Sequence, residues 1–160
     1  MADNMHILEI SKNEMPVGIN ALIVKDNKVL LGLRIGKRGG SGNWGLIGGK
    51  ARCGESIEQT MQRELKEEID IDVKIEDMKV VNLFTTQSSE SILFYQIGIL
   101  ISNFSGEIKN MEPSKCGELR FFDLNDLPEN LFLGTKGNIE LFKRGEFYNR
   151  AVNFDYRNKK

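Results

Sequence analysis

Hydrophobic and polar positions alternate along this chain in two different periods. Val17 to Val24 (VGINALIV) is aliphatic and β-branched and reads as a buried strand. Asp26-Asn27 supplies a turn, and Lys28 to Arg34 (KVLLGLR) reads as the returning strand of a hairpin. Trp44 to Gly49 (WGLIGG) predicts a short strand running into a glycine turn. The period then changes. Ile57, Met61, Leu65 and Ile69 recur every fourth residue, and no Pro or Gly interrupts Ser56 to Ile69, so this span predicts an amphipathic helix. Ser56 is its expected N-cap, with Gln59 as the capping-box partner.

Strand periodicity returns afterwards. Ile71 to Phe84 predicts one strand after a turn, and Ser91 to Ser102 (SILFYQIGILIS) is the strongest strand signal in the chain. The polar segment Thr85 to Glu90 between them suggests a second hairpin. Phe104 to Ile108 extends the sheet in this reading, Asn110 to Gly117 is a loop, and Glu118 to Asp123 is a strand with aromatics. Leu124 to Pro128 reads as a turn or short helical piece. A second helix is expected over about 136–145, with Ile139, Leu141, Phe142 and Phe147 at helical spacing. Residues 1–16 form a short edge strand or a loose arm, and 148–160 a frayed tail. The tally, a mixed sheet with two helices and the first of them in mid-chain, predicts an α+β fold with α/β/α sandwich architecture.

Composition narrows the function classes. The chain of 160 residues is expected to form a single domain over 1–160. Its net charge of -1 argues against duplex nucleic acid as a partner. No apolar run approaches the length of a membrane span. The two cysteines, Cys53 and Cys116, lack zinc-type spacing. With no basic-then-apolar leader at the start, reduced thiols in a cytoplasmic protein are the expectation.

Two stretches carry candidate chemistry. Ile35 to Asn43 (IGKRGGSGN) is glycine-rich and cationic. It is either a solvated connector or a phosphate-contacting loop in which Arg34, Lys37 and Arg38 are the positive groups. On the helix, Glu64 and Glu68 are four residues apart and share one face at the border of the apolar stripe, so they point inward. Two inward carboxylates one turn apart repel unless a proton or a cation lies between them. A hard divalent ion such as Mg²⁺ prefers such an oxygen-rich site, and the glycines at 48 and 49 let a backbone carbonyl approach it. Glu67 lies further round, four residues from Arg63 and able to pair with it. Glu55 either shares Arg63 or sits near the helix N-terminus. Glu112, before Pro113, is an extra acid for the site or a plain surface residue. Trp44, Phe84 and Phe94 are candidates for stacking on a base, each competing with a place in the core.

Taken together, Gly49, Glu55, Arg63-Glu64-Leu65, Glu67-Glu68 and Ile71 resemble the Nudix box, G-x5-E-x7-R-E-U-x-E-E-x-G-U with U aliphatic. Eight of its nine fixed positions agree, and the exception is Asp70 in place of Gly. Asp tolerates the left-handed conformation that ends the helix there better than most residues. The flanking segments Arg34 to Trp44 (RIGKRGGSGNW), Asn110 to Cys116 (NMEPSKC) and ELRFFDLNDLP are similar to a MutT-type nucleotide-pyrophosphatase branch, with Ile47 replacing that branch's usual Pro. The resemblance implies a Nudix fold, a mixed β-sheet between helices with the box as loop–helix–loop. It implies that Glu64 and Glu68 are metal ligands with Glu67 joining them, that the Gly48 carbonyl completes the site, and that Arg63 orients the glutamates with help from Glu55. The implied activity is Mg²⁺-dependent cleavage of a nucleoside triphosphate to a monophosphate and pyrophosphate, with Mn²⁺ a substitute and a homodimer the common assembly. Rival readings are a nucleotide-sugar, ADP-ribose or capped-RNA pyrophosphatase, and a Nudix-fold binding module without turnover.

Overall fold

The computed structural model describes residues 16–87 and 93–154. It contains β1 (Val17–Lys25), β2 (Lys28–Arg34), β3 (Trp44–Gly45), β4 (Ile47–Lys50), α1 (Ile57–Ile69), β5 (Met78–Gln87), β6 (Leu93–Ile101), β7 (Cys116–Asp123), α2 (Leu133–Arg144) and β8 (Tyr148–Phe154). All eight strands join one mixed sheet with β3-β2-β1-β6-β5-β8 along its path; β4 pairs with β1 and β7 with β2.

Strand β1 is central and is buried on both faces. Ile19, Ala21 and Ile23 point to one core with Met61, Leu65 and Ile69 of α1. Leu22 points to a second core with Val29, Leu31, Trp44 and Ile139 of α2. A strand covered on both faces reads as a near-continuous aliphatic run, and VGINALIV is one. The expected β1–β2 hairpin forms through Asp26 and Asn27, whose φ values of 50° and 61° suit the tight turn. It is short, with only Val24↔Val29 and Lys25↔Lys28 in register, because β4 takes the edge of β1 from Gly18 to Ala21. The single strand expected over Trp44 to Gly49 is thus two strands serving different neighbours.

Helix α1 is capped as its sequence predicts. The Ser56 hydroxyl accepts from the Gln59 N–H at 3.1 Å, and the Gln59 side chain accepts from the Ser56 N–H at 2.8 Å. Asp70 ends the helix with φ 58° and ψ 33°, and Lys66 pairs with its carboxylate at 2.9 Å. Ile47 lies in the first core rather than in a loosened turn.

Several expectations are corrected. Phe104 to Ile108 is a loop with one bridge, Asp72↔Ser105, and Phe104 and Ile108 are pinned against the first core instead of extending the sheet. Helix α2 begins at Leu133, and Gly145 in the left-handed conformation stops it before Phe147, which is exposed. The stretch 148–154 is not frayed but lies parallel to β5. Residues 1–15 and the turn of the second hairpin, at 88–92, lie outside the described residues. Among the described residues no helix is long and apolar enough to cross a membrane.

Helix α2 meets the sheet through polar as well as apolar contacts. Asn82 donates to the Asn138 carbonyl at 3.0 Å, and Asn138 donates to the Gly134 carbonyl at 2.8 Å. Both amide oxygens close on Gly98, where an added Cβ would lie 2.3 Å and 2.4 Å from them. Gly98→Ala is therefore expected to destabilise the protein by about 2 kcal/mol in urea denaturation. Gly39→Ala, with nothing within 4 Å of its added methyl, is expected to stay within about 0.5 kcal/mol of the parent.

Candidate active site

Strand β4 carries Gly48 and Gly49 onto the inward face of α1. An added Cβ at Gly49 would lie 2.3 Å from Glu64 Oε1, and one at Gly48 only 2.0 Å from the Ile19 carbonyl oxygen. Only glycine permits both approaches. The Glu64 carboxylate is thereby seated against the backbone, and the Gly48 backbone lies close enough to Glu68 to favour its charged form.

Arg63 closes the loop onto the helix. Its Nε donates to Glu55 Oε1 at 2.7 Å, and Nη2 donates to Glu55 Oε2 at 2.9 Å and to the Lys50 carbonyl at 3.2 Å. Its Nη1 donates to Glu64 and lies 3.6 Å from Glu67. Both expectations for Glu55 hold together: it shares Arg63, and it also accepts from the Thr60 hydroxyl at 3.0 Å in the first turn of α1. These donors hold the Glu55 carboxyl down at about 2, with the Arg63 hydrogen bond the largest cause. The same pairing raises Arg63 above its usual range.

Glu68 is shifted the other way. Burial, and then the negative charges of Glu64 and Glu112, push it up to about 8, against the pull of Arg38 and the Gly48 backbone. This donor set calls for positive charge. Among the described residues no group of three or more His, Cys, Asp or Glu is placed so that it could hold a metal ion by itself. Glu64 and Glu68, whose negative charges act on one another, nevertheless offer the kind of oxygen that Mg²⁺ takes, since that ion keeps several waters and uses few protein ligands.

Glu112 reaches the site because its loop hangs from the end of α1. The Met111 N–H donates to the Glu68 carbonyl and the Lys109 N–H to that of Ile69, each at 3.0 Å. Asn110 folds the loop by accepting from the Glu112 N–H and donating to the Cys116 carbonyl. Glu112 then shares one cleft with Glu68, Arg34, Arg38, Lys115 and Cys116. Lys115 pairs with Glu112 at 2.9 Å.

The cationic loop is only partly turned to this cleft. Arg34 lines it while bracing the loop, donating to the Gly39 carbonyl and lying 4.3 Å over the Phe132 ring. Arg38 also lines it. Lys37 is exposed and does not, which corrects its expected place beside the other two. Trp44 is corrected likewise: it is 7% exposed, edge-on to Phe122 at 4.7 Å, and acts as core rather than as a base platform. Phe84 is fully buried under Gly137 of α2. Phe94 remains half-buried, with Lys50 Nζ 5.7 Å above its ring.

Sequence reasoning missed a polar row on the α2 face. Asn20 donates to Gln96 at 3.0 Å, and Gln96 donates to Thr86 at 3.1 Å. The signal was available: Asn20 and Gln96 each interrupt an otherwise aliphatic strand, and a buried amide needs partners. Lys115 and Thr60 were also passed over, since neither spacing nor composition marks them.

The Glu55–Arg63 pair has a pH signature. Because the Glu55 carboxyl is depressed, its contribution to stability is present above about 4.5 and is lost as pH falls through about 2. Glu55→Gln is expected to be less stable than the parent at pH 7, with the gap closing near pH 2, in urea denaturation run across that range. A gap independent of pH would show that the pairing does not hold the loop.

Comparison with known proteins agrees with this geometry. The NUDIX domain model matches residues 14–144. An ADP-ribose pyrophosphatase of Methanocaldococcus jannaschii is 32% identical over 116 residues, covering 72% of this chain and 66% of that protein. An oxidized purine nucleoside triphosphate hydrolase of Danio rerio is 35% identical over 114 residues, covering 67% and 65%. The chain thus spans just under two thirds of the length of the curated relatives it matches. A MutT NUDIX hydrolase structure from Burkholderia pseudomallei superposes with a TM-score of 0.73 at 30% identity, covering 79% of this chain and 97% of that one. With the box residues assembled as loop, helix and loop beneath a mixed sheet, the chain belongs to the Nudix family.

Proposed function

We propose that this protein is a Mg²⁺-dependent hydrolase of a phosphoanhydride bond in a nucleoside triphosphate or diphosphate derivative, with a (d)NTP giving (d)NMP and pyrophosphate as the leading reaction. The observation that carries this reading is the pairing of opposite charges across one cleft. Glu68 and Glu112 line the cleft with Arg34 and Arg38, and Glu64, seated against Gly49 one helical turn before Glu68, adds its negative charge to that of Glu68.

Glu64 and Glu68 would hold the cation, with Glu67 and the Gly48 carbonyl as further oxygen donors and Mn²⁺ as a substitute. When bound, the ion neutralises phosphate oxygens and acidifies a coordinated water. Arg63 keeps Glu64 in place from the far side. Arg34 and Arg38 offset phosphate charge as the anhydride P–O bond breaks and the leaving phosphate departs. Glu112 or Glu64 takes the proton of the attacking water.

A nucleotide-sugar or ADP-ribose substrate is the second reading, and the named activity of the Methanocaldococcus relative favours it. A binding module without turnover is disfavoured by the complete Arg63, Glu64, Glu67 and Glu68 set. The two unpaired cysteines suit a cytoplasmic protein.

Glu68→Gln is expected to lower kcat by two orders of magnitude or more while the thermal midpoint is kept or raised, because a buried carboxylate is removed. Full activity in that variant would exclude the metal reading. Products from a panel of dNTPs, NTPs, ADP-ribose and nucleotide sugars decide the substrate. Pyrophosphate from dNTPs supports the leading reaction, AMP from ADP-ribose supports the second, and no turnover across the panel supports the binding module.

A further inference from the structure

We propose that Arg38 couples metal binding to nucleotide binding. In the nucleotide-free protein its guanidinium opposes a divalent cation at Glu64 and Glu68, and a phosphate chain seated between the two charges turns that opposition into joint attraction. The inference rests on the metal reading above.

Three observations separate Arg38 from the other arginines of the site. Arg63 is committed to Glu55, Glu64 and the Lys50 carbonyl. Arg34 is committed to the Gly39 carbonyl and the Phe132 ring. Arg38, by contrast, has among the described residues a buried Nε with no hydrogen-bond partner and no ion pair within 4.0 Å. It nonetheless lines the cleft with Glu68 and Glu112, and its charge acts on the Glu68 carboxylate from beyond contact distance.

A buried guanidinium N–H without an acceptor is costly, and the described residues do not supply the acceptor it lacks. Phosphate oxygen suits it by charge and geometry. Until a phosphate arrives, Arg38 and an incoming divalent ion carry the same sign in a partly desolvated cleft, where Coulomb repulsion is only weakly screened. Once it arrives, its oxygens face both cations. The free energy linking the two ligands is reciprocal: the nucleotide tightens the metal by the factor that the metal tightens the nucleotide. The arrangement keeps the site weakly metallated when no nucleotide is present.

The test is a Mn²⁺ titration of the full chain by electron paramagnetic resonance, with and without a non-hydrolysable nucleoside triphosphate analogue. R38M and R38Q are both measured, so that a folding defect in one does not decide the outcome. In the absence of nucleotide, both variants are expected to bind Mn²⁺ about tenfold more tightly than the parent. The tightening produced by the analogue is expected to shrink by a similar factor, and R38K, which keeps the charge, is expected to restore it. Unchanged or weaker Mn²⁺ binding in nucleotide-free R38M and R38Q would overturn the coupling, while loss of Mn²⁺ binding in E68Q in the same series would leave the metal site standing. Mn²⁺ binding insensitive to E68Q would overturn the metal site and the coupling with it.

Discussion

The hydrogen-bonded hub at Arg63 is the interaction on which the rest of the site depends. One guanidinium binds a carboxylate before the helix, a carbonyl at the end of β4 and a carboxylate on the helix itself. Glu55 belongs to the stretch without regular structure between β4 and α1, and Arg63 ties it to the helix while the Ala51 N–H ties its start to the Val17 carbonyl. A planar, bidentate cation serves this role where a lysine would not, because its donors point in several fixed directions at once. Held in this way, Glu64 stays against Gly49 instead of relaxing into solvent.

The second constraint is steric. Strand β1 receives β4 on one edge and β6 on the other, and α1 is pressed against β4. The approach is close enough that Gly48 touches the Ile19 carbonyl and Gly49 touches Glu64. Packing and chemistry therefore share the same residues: the glycines that let the layers meet also leave the carboxylates crowded. Crowding in turn keeps Glu68 poorly ionised in isolation and receptive to a cation. The charged groups of the cleft come from three separated segments: the end of β2 with its arginine loop, the helix, and the loop hung from the helix end by Met111 and Lys109.

Much of this was legible in the sequence because the relevant interactions are local. The Ser56–Gln59 cap, the four-residue recurrence of Met61, Leu65 and Ile69, the left-handed Asp70 and the inward placement of Glu64 and Glu68 all lie within a few turns of one helix. Helical geometry relates such residues without any knowledge of the fold. The errors came where a segment's neighbour was distant. Residues 148–154 (YNRAVNF) mix polar and apolar positions and become a strand because β5 offers an edge. Phe104 to Ile108 looks like a strand and is drawn off the sheet by the core under α1. Trp44 is core because Phe122 and α2 meet it from elsewhere in the chain.

The sequence by itself determined that a cationic glycine loop precedes a capped helix bearing paired inward acids, because periodicity and spacing are properties of the chain alone. Only the tertiary structure decided which charges share a cleft. Arg38 enters it and Lys37 does not, and Glu112 arrives beside Glu68 although many residues separate them. The difference is physical: direction within a helix follows from 100° per residue, whereas direction across a loop follows from the backbone bonds and packing that other segments impose on it.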